Sequence, residues 1–198
     1  MTRTQGSFSQ TTAPKVFQSA LRLFARHGYA AVSMRQIARE VGVHVGALYN
    51  YTPDKQSLLF KIMLDHMESL LVAWEDCINH EEPIDQIKEF IRFHLDFHLS
   101  KSDAVLVAYM ELRNLSEDNF KVIESLRRRY ENILTDILCR GADVGTFHFS
   151  DARITTLAFI GMLKEVGTWY RPNGRLSAAQ ITNIYQEMIL DFLENEKS

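Results

Sequence analysis

The sequence predicts an all-α protein of about nine helices, in which a small three-helix unit at the N-terminus precedes a larger helical body. Three observations favour this fold class. Apolar residues recur at three- and four-residue steps along most of the chain, the 198 residues include only 4 Pro and 9 Gly, and no useful stretch alternates as a strand would. With 46% hydrophobic residues, the chain can bury a sizeable core.

The first helix is expected to run from about Thr12 to His27, with Pro14 in its first turn and Gly28 at its end. Residues 1–11 are polar and are expected to be mobile. The helix should brace the two that follow, because two short helices alone bury too little surface to stay folded. Its apolar face is predicted to hold Phe17, Ala20 or Leu21, and Phe24.

A helix-turn-helix is predicted between Ser33 and Tyr51. Ser33 and Gln36 have the spacing of a capping box, which starts a helix, and Gly42 can adopt positive φ and end it. A short turn leads to the second helix, whose Leu48 is expected to pack against Ala38. The apolar positions at helical spacing are Ile37, Ala38 and Val41, then Val45, Leu48 and Tyr49 or Tyr51.

One long helix is predicted to follow, from about Lys55 to His80, with Asp54 and Ser57 as its capping signal. Its apolar face is predicted to hold Leu58, Leu59, Ile62, Met63, Met67, Leu70, Leu71, Trp74 and Ile78. A rod of this length would join the small unit to the body.

Five further helices are predicted in the body. They begin at Pro83, Asp103, Ser116, Ser150 or Asp151, and Ser177, and they end near Leu99, Leu115, Cys139 or Arg140, Tyr170, and Glu194. The helix from Asp103 to Leu115 is apolar almost all round and is expected to be buried. We expect the N-terminal domain to span residues 1–54 and the second domain residues 55–198.

Charge is distributed unevenly along the chain. The net charge is −3, yet residues 1–55 hold seven basic and two acidic side chains, a net of +5 that leaves −8 for the remainder. Attraction to the phosphates of a duplex is therefore expected at the helix-turn-helix. Arg127, Arg128 and Arg129 form a second basic cluster, which is more typical of a solvated helix face than of a nucleic-acid site.

Sequence signals of other classes of protein are missing. We expect a cytoplasmic protein without a membrane partner, because there is no signal peptide and no apolar run of bilayer length, and because Cys77 and Cys139 have no disulfide spacing. No catalytic motif is present, so we do not expect an enzyme or a cofactor. His94 and His98 are spaced i, i+4, but no further ligand accompanies them, and we predict no metal.

The N-terminal residues resemble the TetR family of bacterial transcriptional regulators. The resemblance covers about Val16 to Leu59 and rests on three segments: Phe24-Ala25-Arg26-His27-Gly28-Tyr29, Met34-Arg35-Gln36-Ile37-Ala38, and Gly46-Ala47-Leu48-Tyr49-Asn50-Tyr51 leading to Lys55. Thr52 and Pro53 depart from it, since the family usually has Phe directly after the second tyrosine. The resemblance implies a homodimer that binds a double-stranded DNA operator.

Roles at the DNA follow from chemistry and from this resemblance. The Ser33 hydroxyl suits a phosphate, and the resemblance implies further phosphate contacts by Arg35, Tyr49, Tyr51 and Lys55. Val45, Gly46 and Ala47 should face base edges, where apolar side chains meet thymine methyl groups and glycine allows close approach. His44 and Asn50 flank them. Because few of these side chains donate hydrogen bonds, part of the specificity is expected to come from DNA shape.

The aromatic residues of the body fit either a plain core or a cavity for a small-molecule effector. The resemblance favours the cavity, for which the candidates are Phe90, His94, Phe97, Tyr109, Arg113, Tyr130 and Trp169. Residues 161–177, with Trp169-Tyr170-Arg171-Pro172-Asn173-Gly174-Arg175, resemble TetR-type repressors of fatty-acid or steroid degradation that answer to acyl-CoA thioesters. The effector is therefore expected to be an acyl-CoA or another hydrophobic ligand, with Arg113 or Arg127 available for its phosphates.

The last two helices are expected to form the dimer interface by two-fold symmetry. Ile154, Leu157, Ile184 and Met188 are the principal candidates, within apolar rows that also include Ile160, Met162, Ile181, Tyr185, Ile189 and Phe192. These features together predict a ligand-responsive repressor. An activator of the same architecture is the alternative within this class, and a helical small-molecule carrier or enzyme is the alternative outside it.

Overall fold

The computed structural model of the chain describes residues 6–77 and 81–194. Within them it contains nine α-helices, one short 3-10 helix and no strand, as the sequence predicts. The elements are α1 (Gly6–His27), α2 (Met34–Val41), α3 (Val45–Leu48), α4 (Lys55–Glu75), α5 (Pro83–Ser100), α6 (Ser102–Met110), the 3-10 helix η1 (Leu112–Asn114), α7 (Glu117–Asp143), α8 (Ala152–Trp169) and α9 (Ala178–Glu194). None of the described helices is long and apolar enough to cross a membrane.

The chain forms two compact units. Of the described residues, the first comprises 6–68 and 103–124, and the second comprises 69–77, 81–102 and 125–194. The α6–η1 segment and the start of α7 therefore belong to the same unit as the helix-turn-helix. The predicted functional division at residues 54 and 55 stays a prediction.

In the first unit, α1 differs from its prediction at its N-terminal end. The helix begins at Gly6, so Pro14 lies inside it and not in its first turn. A proline removes one hydrogen bond from the helical ladder, but turns on its N-terminal side can persist. Val16, Ala20 and Phe24 are buried, whereas the predicted Phe17 is only half-buried.

The apolar pattern of α4 is confirmed over the described residues. Eight of the nine predicted positions are buried, and the ninth, Ile78, lies outside the described residues together with the predicted end of the helix at His80. The helix α4 ends at Glu75. Its start is the predicted one, since the Ser57 amide donates to Asp54 Oδ1 at 2.7 Å. This hydrogen bond lowers the pKa of Asp54.

The segment from residue 103 to 115 corrects a prediction. It is not one continuous buried helix, because α6 ends at Met110 and η1 follows. Leu106 and Met110 are exposed, while Val105, Val107 and Ala108 are buried. A uniformly apolar helix carries no sequence signal for which side faces the core, so only packing decides it.

In the second unit, α5 packs against α8 and α9. Ile87, Ile91 and Leu95 of α5 are buried. Between α7 and α8, the hydroxyls of Thr135 and Thr156 are 2.9 Å apart and form a hydrogen bond with each other. The capping signals of α8 and α9 are confirmed in a similar way, by Asp151 and by Ser177.

Candidate DNA interface and effector region

The first helix of the helix-turn-helix, α2, begins and ends with the predicted signals. The Gln36 amide donates to Ser33 Oγ at 3.3 Å, and the Ser33 amide donates to Gln36 Oε1 at 2.7 Å, which completes the capping box. Gly42 has a φ of 80°, a left-handed conformation that favours glycine, and its amide donates to Ala38 and Arg39 carbonyls. The start of α2 and the turn after it are therefore set by local contacts.

The short helix α3 has a clear inner and outer side. Leu48 is fully buried, and so is Ile37 of α2, while Ala38 of α2 is only 3% exposed. Val45, Gly46 and Tyr49 are exposed, Ala47 is half-buried, and Asn50 is exposed. Of the three residues expected to meet base edges, Val45 and Gly46 therefore lie on the solvent side of α3, and Ala47 is partly covered.

Thr52 and Pro53 do not disturb the end of α3. Thr52 is buried, its amide donates to the Leu48 carbonyl, and its hydroxyl donates to the Asp54 carbonyl at 2.9 Å. Tyr51 is half-buried beside it. A buried threonine thus closes this turn through its own hydrogen bonds.

The other candidate DNA contacts fall into two groups. Ser33, Arg35 and His44 are exposed. Lys55 is already engaged, because its Nζ donates to the carbonyls of Tyr29 at 2.9 Å and Val32 at 2.7 Å. Its phosphate contact stays a prediction.

An aromatic cluster occupies the second unit. The centre of the Phe90 ring lies 5.3 Å from that of Trp74 and 5.3 Å from that of Tyr130, and the Phe93 ring also lies 5.3 Å from Trp74. His94 Nδ1 and the Tyr130 hydroxyl are 3.0 Å apart, within hydrogen-bonding distance. The cluster brings together three of the candidate effector residues, namely Phe90, His94 and Tyr130.

The pair of histidines is stacked and buried. The rings of His94 and His98 are 3.9 Å apart, and His98 Nδ1 donates to the His94 carbonyl at 2.8 Å. Burial lowers the pKa of His98 to about 4, so its imidazole is neutral at pH 7. The described residues contain no group of three or more His, Cys, Asp or Glu side chains that could hold a metal ion.

Of the remaining candidate effector residues, Phe97 and Trp169 belong to the second unit, as the aromatic cluster does. Phe97 is buried next to Phe93, with 5.6 Å between the ring centres. Trp169 is exposed at the end of α8. Tyr109 and Arg113 belong to the first unit, where Tyr109 is half-buried and Arg113 is exposed.

The principal candidates for the dimer interface are all exposed. Ile154 and Leu157 lie on α8, and Ile184 and Met188 lie on α9. The wider rows need a correction, because Ile160, Ile181 and Ile189 are buried within the chain itself. Phe192 is exposed, and its ring contacts Phe159 edge-on at 5.5 Å. An exposed row at steps of four therefore runs through Ile184, Met188 and Phe192.

Two side chains near the helix-turn-helix were not anticipated. Glu111 accepts a hydrogen bond from the Tyr29 amide, and Gln56 donates to the Asn114 carbonyl. These partners are 82 and 58 residues apart in sequence, so no local pattern indicates the pairing.

Comparison with known proteins covers most of the chain. Residues 16–62 match the family model described as bacterial regulatory proteins of the tetR family, and residues 80–193 match the model of the tetracyclin repressor-like C-terminal domain. The HTH-type transcriptional repressor KstR2 of Mycobacterium tuberculosis is 23% identical over 186 residues, which cover 92% of each chain.

Solved structures share the fold. A bacterial regulatory protein in the tetR family from Rhodococcus RHA1 has a TM-score of 0.87 and 27% identity, covering 94% of this chain and 98% of that one. AibR, in complex with isovaleryl coenzyme A and operator DNA, has a TM-score of 0.80 and 22% identity, covering 89% of this chain and 97% of that one. Because both family models match, this chain belongs to the TetR family of bacterial transcriptional regulators.

Proposed function

We propose that this TetR-family chain is a ligand-responsive transcriptional repressor, which binds a near-palindromic operator as a homodimer and is released from it by a small effector. The observation that carries the proposal is the solvent-facing side of α3, with Val45, Gly46 and Tyr49 exposed beside the completed capping box of α2. Such a helix is free to enter a major groove.

At the DNA, we assign the candidate residues to two kinds of contact. Ser33, Arg35, Tyr49 and Tyr51 bind phosphates and set the position of α2 and α3 on the duplex. Val45, Gly46 and Ala47 meet base edges, and His44 and Asn50 flank them. In a homodimer, two such helices would bind half-sites whose centres are about 34 Å, or a multiple of it, apart.

The homodimer would form through α8 and α9. Ile154, Leu157, Ile184 and Met188 are exposed apolar side chains on these two helices. Large apolar side chains that share one face and remain in water are typical of an interface with a partner. Two copies of the same pair of helices, related by a two-fold axis, would bury them in a four-helix arrangement.

For the effector we propose an acyl-CoA. AibR, which shares the fold, is described in complex with isovaleryl coenzyme A. Phe90, Phe97 and Tyr130 offer apolar surface for an acyl chain, and the His94–Tyr130 pair offers a polar contact for a thioester carbonyl. The assignment of Tyr109, Arg113 and Trp169 to the effector stays a prediction, in which an arginine pairs with phosphate.

The proposal is tested by titrating operator DNA, taken from upstream of the protein's own gene, at several salt concentrations. The logarithm of affinity should fall linearly with the logarithm of salt concentration, by about 0.9 for each phosphate neutralised. Acyl-CoAs of several chain lengths should release the DNA and raise the Tm, whereas free coenzyme A should do neither. A duplex affinity that does not depend on salt would overturn the DNA-binding function, and binding without any thioester response would remove the acyl-CoA.

Replacing Gly46 by alanine separates a DNA contact from a role in stability. A Cβ at Gly46 meets no atom within 4 Å, so the free energy of unfolding should change by less than about 1 kcal/mol. Operator affinity should fall by about tenfold, which corresponds to 1.4 kcal/mol, since the added methyl group prevents close approach to the bases. The control is Gly167→Ala on α8, where a Cβ is equally free of contacts. Unchanged operator affinity for Gly46→Ala would show that this end of α3 does not face the bases.

A further inference from the structure

The loop of residues 28–32 connects α1 to α2, so its conformation affects how α2 is placed relative to α1. Ser33, the N-cap of α2, follows it directly. Within the loop, Gly28 has a φ of 79° and the Val32 amide donates to the Tyr29 carbonyl at 3.3 Å. The contacts that fix this loop therefore also affect the positions of the exposed Arg35 and of the rest of the helix-turn-helix.

Lys55 holds the loop from the start of α4. Its Nζ donates to the Tyr29 carbonyl at 2.9 Å and to the Val32 carbonyl at 2.7 Å, and it lies 4.2 Å from the centre of the Tyr29 ring. An ammonium group has three donors, and two of them are used on these carbonyls while the ring face covers a further side. Burial lowers the pKa of Lys55, as expected for a partly desolvated ammonium.

Glu111 holds the same loop from the end of α6. Its Oε1 accepts a hydrogen bond from the Tyr29 amide at 3.1 Å, and its Oε2 accepts one from the Asn114 side chain. Gln56 links this corner back to α4, since its Nε2 donates to the Asn114 carbonyl at 2.8 Å and its Oε1 accepts from the Ser116 amide at 3.2 Å. The amide and the carbonyl of Tyr29 are thus bound by side chains of opposite charge.

We propose that Lys55 and Glu111 are positioning residues, which hold residues 28–32 and through them α2 in the conformation that binds DNA, and that neither side chain touches the operator. The inference rests on the proposed DNA-binding function and changes the role expected of Lys55, from a phosphate contact to an internal clamp. Loss of either side chain leaves charge-assisted hydrogen bonds to the backbone of Tyr29 unmade.

The first test measures the salt dependence of operator affinity for Lys55→Met, with Lys61→Met as the matched control. Lys61 also lies on α4 and is exposed in an ion pair with Asp65, so its loss removes the same charge without touching the loop. We expect Lys55→Met to lower operator affinity by about tenfold or more with the salt slope of the wild type, and Lys61→Met to leave both nearly unchanged. A slope reduced by about 0.9 in Lys55→Met alone would identify a phosphate contact and overturn the proposal.

The second test uses the sign of the effect at Glu111. If only electrostatics mattered, removing an acidic side chain near DNA would raise the affinity for the phosphates. Loss of a positioning residue lowers it, so Glu111→Ala should weaken operator binding, whereas the control Glu117→Ala, at an exposed ion pair with Lys121, should leave it equal or slightly stronger. Hydrogen exchange at the Tyr29 amide should accelerate in Glu111→Ala without DNA present. Stronger operator binding, or unchanged protection of that amide, would overturn the proposal.

These outcomes are distinct from failure of the proposed function. If the wild-type chain has no salt-dependent affinity for duplex DNA, the proposed repressor function is wrong. If the wild type binds the operator, the Lys55→Met slope and the sign of the Glu111→Ala effect each test the clamp. Far-UV circular dichroism and thermal melts of each variant establish that the variant is folded, and the amide exchange of Tyr29 tests the clamp without DNA.

Discussion

Replacing Met188 by glutamate is expected to dissociate the homodimer and to lower operator affinity by about a hundredfold or more, since a monomer loses the gain from binding two linked half-sites. Met188 is 51% exposed and lies between Ile184 and Phe192 in the exposed row of α9. In a two-fold interface each substituted side chain faces the partner's copy of the same row, so the variant would bury an unpaired charge twice.

Light scattering measures the oligomeric state of the Met188→Glu variant, and titration measures its operator affinity. The control variant is Val144→Glu. Val144 is an exposed apolar residue just after α7, outside the proposed interface, so its replacement changes charge and exposed apolar area in the same way. The control should remain dimeric and bind the operator as the wild type does. A Met188→Glu protein that stays dimeric would exclude the exposed row of α9 from the interface.

Replacing Gly141 by alanine is expected to cost roughly 3 kcal/mol of unfolding free energy, at the upper end of what overpacking usually causes. The chain turns back after α7, so that a Cβ at Gly141 would lie 1.9 Å from Phe147 Cδ2. Phe147 is buried, and its amide donates to the Gly141 carbonyl at 3.0 Å. The Phe147 ring therefore cannot shift away from the added methyl group unless the hydrogen-bonded backbone of Phe147 moves as well.

Urea unfolding measures the Gly141→Ala effect, and Gly167→Ala serves as the control. Gly167 is also helical, but a Cβ there meets nothing within 4 Å, so alanine should raise stability by up to about 1 kcal/mol. The two substitutions add the same methyl group with opposite expected signs. Equal stability of Gly141→Ala and the wild type would mean that Phe147 does not pack on α7 as described.

The features that could be predicted from the sequence depend on contacts between residues close together in the chain. Ser33 with Gln36 and Ser177 with Gln180 start their helices through hydrogen bonds between residues three apart, and Gly42 ends α2 by a conformation of its own backbone. Such signals lie within one helical turn, so they can be identified without knowing the fold. The all-α class and the buried face of α4 follow from periodicity in the same way.

Packing between helices determines which apolar residues face the core and which distant side chains meet. On α9, Ile181 and Ile189 are buried while Ile184 and Met188 are exposed, although all four are apolar. Glu111 meets the backbone of a residue 82 positions earlier. Both outcomes depend on how helices pack, since a helix that is apolar on several sides has no local preference for one of them, and a hydrogen bond between distant segments forms only after packing brings them together.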